Sequence, residues 1–109
     1  MPIRRIAPQA LDDFLRVQPR ATLLDVREQW EHDLVALPDS LLIPLGDLMR
    51  RAEEDLPDHE APIVVYCHHG IRSLQACGLL ASIGYEDLIN LSGGIDRYSA
   101  EVDSSLPTY

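Results

Sequence analysis

The sequence predicts a three-layer α/β/α domain around a mainly parallel, five-stranded sheet. Two observations carry this. Short β-favouring runs alternate with helix-length apolar stripes along the whole chain, the pattern that builds parallel sheets with right-handed crossovers. The run Ile63-Val64-Val65-Tyr66 offers no polar-out alternation, as expected of a strand covered on both faces. No internal repeat or low-complexity segment interrupts the alternation, and 109 residues suffice for one hydrophobic core but not two. One domain is therefore expected over residues 1–109, with its core at about 3–102 and a tail at 103–109.

Residues 3–6 form a short apolar-basic strand suited to a sheet edge. Pro8 fits the first turn of a helix whose stripe is Leu11, Phe14 and Leu15, with Val17 as a further candidate, and Pro19 ends it. Residues 22–26 are the second strand. Its Asp25 is a carboxylate in an otherwise apolar run, so it needs a partner: an ion pair or cap that fixes the following turn, with Arg27 beside it. Glu28 to Leu34 reads as a short helix carrying Trp30. Pro38-Asp39 marks a turn, and Leu41-Leu42-Ile43 a strand stopped by Pro44. Asp47 is placed to cap a helix through Leu48, Met49, Ala52 and Leu56, with Arg50, Arg51, Glu53 and Glu54 on its solvated face. A connector at 57–62 leads to the strand 63–66. A helix over 72–83 follows, stopped at Gly84. Residues 88–91 are the fifth strand, and Ser92-Gly93-Gly94 turns into a last helix over 95–102. The tail, with Pro107 and little periodicity, carries no predicted element.

The chemistry concentrates at 67–73, Cys-His-His-Gly-Ile-Arg-Ser. A cysteine stands at the carboxyl end of a parallel strand, just ahead of a helix N-terminus, the crevice where open α/β sheets bind ligands. Loop amides and the helix dipole favour an anion there, a thiolate included, and make its sulfur nucleophilic. Gly70 lets the backbone curl so that successive N–H groups point inward, and Arg72 adds a permanent positive charge. With the amides inward, the His68 and His69 side chains should point out and shape the entrance. Cys77 falls near an apolar helix face set by Leu74, Leu80 and Ile83, where it reads as a small buried hydrophobe; the alternative is a resolving thiol for Cys67.

The formal net charge of −9 and the spread of the eighteen acidic residues exclude a basic nucleic-acid face. All nine basic residues are arginine, so Schiff-base lysine chemistry is excluded. No apolar run is long enough to span a membrane. The opening Met-Pro-Ile-Arg-Arg-Ile leads into a polar helix pattern and not an apolar signal region, so a cytoplasmic protein without a structural disulfide is expected.

The loop Cys67–Ser73 resembles the active-site loop of rhodanese-like sulfurtransferases, and the resemblance extends over about residues 3–102. Leu23-Leu24-Asp25-Val26-Arg27-Glu28 is similar to a first signature, a strand ending in Asp-Val-Arg. Leu37-Pro38 with Ile43-Pro44 resembles a second, although Val35, Ala36 and Asp39 stand where Gly, His and Gly are common. The cysteine loop is the third and most specific. Leu91-Ser92-Gly93-Gly94-Ile95 is the fourth, with Tyr98 in place of the usual tryptophan. The resemblance implies a sulfurtransferase of the thiosulfate type. Cys67 accepts a sulfane sulfur from a small anionic donor as a persulfide and hands it to a thiophilic acceptor: cyanide, a thiol or an acceptor protein. His68, His69, Gly70, Ile71, Arg72 and Ser73 cradle the sulfur and the donor. Asp25 and Arg27 brace the site without acting in catalysis. The covalent persulfide needs no cofactor and no metal, and neither nucleic acid nor membrane is an expected partner.

Three alternatives remain open at this level. A cysteine-dependent phosphatase or arsenate reductase uses Cys-x-x-x-x-x-Arg, whereas four residues separate Cys67 from Arg72 and Ser73 takes the arginine's place. That shorter loop suits one sulfur atom better than a tetrahedral phosphate. A metal site of Cys67, His68 and His69 requires adjacent residues to converge on one ion, a rare arrangement. A sulfur carrier or regulatory binding module without turnover is the reading from outside enzymology.

Overall fold

A computed structural model describes residues 3–109. Five strands, β1 (Arg4–Ile6), β2 (Thr22–Asp25), β3 (Leu41–Leu42), β4 (Ile63–Tyr66) and β5 (Leu88–Leu91), alternate with five helices, α1 (Pro8–Val17), α2 (Gln29–Leu34), α3 (Leu48–Asp55), α4 (Ile71–Ser82) and α5 (Gly94–Glu101). The strands form one sheet in the order β1-β5-β4-β2-β3. Every pairing is parallel, for example Leu24 beside Val65 and Val65 beside Asn90. The expected three-layer α/β fold is thus present, with β4 at its centre and β1 at an edge.

The two-residue period of a strand divides the core. Ile63, Val65 and Cys67 face one side with Leu24 and Val26, where Leu48 and Ala52 of α3 and Ala76, Cys77 and Leu80 of α4 cover them. Val64 and Tyr66 face the other with Leu23, covered by Leu11 of α1 and Ile95 and Tyr98 of α5. Each fully buried aliphatic side chain here contributes about 1.5–3 kcal/mol. Among the described residues no helix is long and apolar enough to cross a membrane.

Several local expectations are corrected. Leu74 is 44% exposed, because the buried stripe of α4 runs through Ser73, Ala76, Cys77 and Leu80, and Leu74 lies one position off it. Met49 and Val17 likewise face outward. A single 3-10 turn at Leu45–Asp47 precedes α3, so Asp47 already has helical dihedrals. Its side chain makes no cap and pairs instead with Arg50 at 3.0 Å. The tail carries no helix or strand, as expected, yet Leu106 packs against the cluster that holds Leu11 of α1 and Ile95 of α5, and Tyr109 returns to His68 of the cysteine loop.

Candidate active site

β4 ends at Tyr66 and α4 begins at Ile71, so the chain turns around Cys67 within one short loop. The turn requires Gly70 at φ +104°, a left-handed conformation that a side chain disfavours. It aims two backbone donors at the sulfur: the Gly70 N–H at 3.1 Å and the Ser73 N–H at 3.3 Å from Cys67 Sγ. Both lie at the N-terminal end of α4, where unpaired amides and the helix dipole complement negative charge. The Cys67 thiol faces Ser73 Oγ at 3.4 Å. Ser73 Oγ in turn donates to Asn90 Oδ1 at 2.5 Å, and Asn90 Nδ2 donates to the Gly70 carbonyl at 3.2 Å. Asn90 on β5 thereby holds both residues that address the sulfur. Sequence reasoning missed it; the available signal was a polar side chain inside the apolar run Leu88–Leu91.

The Ser92-Gly93-Gly94 turn has a structural purpose at this loop. The first amides of α5 donate outward to the cradle, Ile95 N–H to the Cys67 carbonyl at 2.9 Å and Asp96 N–H to the His68 carbonyl at 3.1 Å. Gly94 makes the approach possible: it sits at φ +63°, and a Cβ there would fall on those two carbonyl groups. With two carbonyls held by α5, the loop presents its later amides to the sulfur.

Two ion pairs, one buried and one half-buried, support the loop from the side of β2. Arg27 clasps Asp25 through Nε to Oδ1 at 2.9 Å and Nη2 to Oδ2 at 2.8 Å, and Nη2 also donates to the Val35 carbonyl at 2.7 Å. Asp25 Oδ2 receives the Tyr66 hydroxyl at 3.1 Å and lies 2.8 Å from His32 Nδ1. Burial opposes the charge on Arg27, but its bonds to Asp25 and to the Tyr109 hydroxyl outweigh it and leave the guanidinium more firmly protonated than usual. Burial and the Asp25 charge push the Tyr66 phenol up to about 12.

The second pair joins Arg72 to Glu31. The guanidinium donates to both carboxylate oxygens, at 2.6 and 2.9 Å, in a bidentate fork. Glu31 also accepts the Glu28 N–H at 3.0 Å, as half of the capping box that starts α2. Burial raises its carboxyl, but Arg72, the Tyr109 hydroxyl and the Glu28 amide together bring it down to about 2. Arg72 therefore does not offer a free charge to the cradle. Glu31 was not singled out from the sequence, although its capping-box spacing from Glu28 was visible there.

The remaining loop residues lie at the rim. Ile71 is 73% exposed. The His68 and His69 rings stack at 4.1 Å and 14°, with Asp96 carboxylate oxygens 3.8 Å from His68 Nε2 and 3.5 Å from His69 Nε2. Burial, then the neighbouring His69, lowers the His68 pKa. Among the described residues His68, His69 and Asp96 are the cluster best spaced for a metal, and Cys67 is not part of it.

The model of the rhodanese-like domain family matches residues 7–101. A protein of Allochromatium vinosum named sulfurtransferase is 33% identical over 93 residues, 85% of each chain. The adenylyltransferase and sulfurtransferase uba4 of Ogataea parapolymorpha is 37% identical over 87% of this chain, which spans only 24% of that protein's length. Among solved structures, the human single-domain sulfurtransferase TSTD1 is similar at TM-score 0.79 and 27% identity, over 92% of this chain and 98% of that one.

Proposed function

The chain belongs to the rhodanese-like domain family, and from that premise we propose that it is a sulfurtransferase that carries a sulfane sulfur on Cys67 from a donor such as thiosulfate to a thiophilic acceptor. The observation that supports this most is the convergence of the Gly70 and Ser73 amides on Cys67 Sγ. The Cys67 thiolate attacks the outer sulfur of thiosulfate. A sulfur–sulfur bond forms to Cys67, the bond within thiosulfate breaks, and sulfite leaves with its electron pair. An acceptor, cyanide or a thiolate, then attacks the outer sulfur of the persulfide and returns the electron pair to Cys67. The two steps form a ping-pong cycle that uses no cofactor beyond the cysteine itself. The amides stabilise the thiolate that begins the first step and returns at the end of the second, and Ser73 can turn its hydroxyl from Asn90 to the sulfur. Glu31 matches the charge of Arg72, so the amides carry the larger share of anion recognition. The same pairing argues against phosphate-ester hydrolysis, which needs a guanidinium free to face three phosphoryl oxygens. A compartment that keeps both cysteines reduced, the cytoplasm, suits this chemistry.

Intact mass after incubation with thiosulfate tests the reading. The wild type is expected to gain one sulfur atom that a thiol reductant removes, and Cys67→Ser to gain none. A wild type that stays unmodified by thiosulfate, or a gain that persists in Cys67→Ser, contradicts the proposal.

A further inference from the structure

The segment after α5 folds back to the cysteine loop and stacks one side chain on His68. The Tyr109 ring stacks on His68 with centroids 4.0 Å apart and planes at 15°. It meets Trp30 edge-on at 5.7 Å. Its hydroxyl accepts a hydrogen bond from Arg27 Nη1 at 2.8 Å and donates one to Glu31 Oε2 at 2.6 Å. Glu31 is the residue that grips Arg72. A single phenol thus touches position 68 directly and position 72 through one carboxylate, the two shoulders of the loop that starts at Cys67. Cys67 itself is 1% exposed. Burial and the bond to Glu31 push the phenol up to about 12, so it stays protonated and keeps donating. Two bonds to charged partners and two aromatic contacts make this a fixed placement rather than a passing one. Among the described residues these are the hydrogen bonds that tie a tail side chain to the Asp25–Arg27 and Glu31–Arg72 pairs.

We propose that Tyr109 is the residue that selects the acceptor: it hinders wide-shouldered peptide thiols at the Cys67 persulfide and leaves an approach for compact species, thiosulfate as donor and cyanide as acceptor. This rests on the sulfurtransferase reading. Cyanide is a rod that needs only a narrow line to the outer sulfur. A peptide thiol brings a wide shoulder behind its sulfur and must displace the phenol from Arg27 and Glu31. Tyr109 would act on the second half-reaction without touching the electrons that move.

The test measures kcat/KM for cyanide and for glutathione, with thiosulfate as donor, in the wild type, Tyr109→Phe and Tyr109→Ala. For Tyr109→Ala the glutathione-to-cyanide ratio is expected to rise roughly tenfold, the factor that corresponds to about 1.4 kcal/mol. Tyr109→Phe, which keeps the ring but loses both bonds of the hydroxyl, is expected to raise it by a smaller factor. A tyrosine that only clasps the tail would lower both acceptors together, and an unmoved ratio or a parallel fall overturns the proposal. Alkylation of Cys67 by iodoacetamide against a bulky maleimide, read by intact mass, repeats the comparison without turnover. Tyr109→Phe is expected to gain more with the maleimide. Equal gains overturn the idea even if the alanine variant does not fold. Persulfide formation by the wild type is scored first. Its absence sinks the sulfurtransferase reading and this inference with it, whereas an unmoved ratio in a protein that does load sulfur sinks the Tyr109 role alone.

Discussion

Cys67 and Cys77 belong to one loop–helix unit and are equally buried, at 1% and 0% exposed, yet their surroundings have little in common. Cys67 sits where the backbone changes direction, and the Gly70 and Ser73 amides point at its sulfur. Cys77 faces the core from α4 beside Ala76 and Leu80, and burial alone pushes its thiol up to about 12. At neutral pH such a thiol supplies almost no thiolate, which unfits Cys77 for resolving a persulfide. The pair teaches that burial by itself silences a cysteine. What makes a buried sulfur useful is the direction of the nearby amides, and direction comes from the turn.

The sharpest way to break this comparison is differential alkylation. Native protein treated with iodoacetamide is expected to modify Cys67 at least about a thousandfold faster than Cys77, whose thiolate is scarce and enclosed. Cys77 should react only after denaturant unfolds the chain, and Cys77→Ala should transfer sulfur within about twofold of wild type. Comparable labelling of both in the native state would show that the amides at Cys67 make no difference.

The next effect in size attacks the turn and spares the helix. Gly94→Ala forces a Cβ onto the carbonyl groups of Cys67 and His68 at a left-handed backbone position. It is expected to lower the unfolding free energy by about 2–4 kcal/mol in urea titration. Persulfide formation should fall further than stability accounts for, while Cys77 stays protected in the folded fraction. A variant that melts like the wild type would refute the docking of α5 on the loop.

Acid separates the two regions more gently. The Glu31 carboxyl is held at about 2 against an ordinary 4.5. The stability it contributes is therefore present above pH 4.5 and is lost as pH falls toward 2. The gap corresponds to roughly 3 kcal/mol. Wild type should lose about that much more stability than Glu31→Gln across the window in chemical unfolding at stepped pH, because the variant has already lost the pair at neutral pH. Parallel decline of the two proteins would show that Glu31 is not depressed.

Much of the molecule was legible before any coordinates. β5 occupies the expected residues 88–91, β4 the expected 63–66, and α1 and α4 lie within a residue or so of their predicted spans. The place of Cys67 at the end of β4 followed from local pattern alone. Leu74 shows the limit of that method: a large apolar residue drew the helix face toward itself, while the buried stripe runs through the smaller Ser73, Ala76 and Cys77.

What the amino-acid order by itself determined is what depends on near neighbours: the period of each strand and helix, the glycine turns, and the cysteine held between a strand and a helix. Local backbone energetics decide these within a few residues. Only the tertiary structure decided the partners of that site. Glu31 meets Arg72, Asn90 meets Ser73, and Tyr109 meets Arg27 and Glu31 across separations of 41, 17, 82 and 78 residues. Those meetings require β2 and β5 to flank β4, so that side chains from distant parts of the chain arrive at one end of the sheet. A pairing of that kind is set by the packing of layers, which no stretch of local sequence contains.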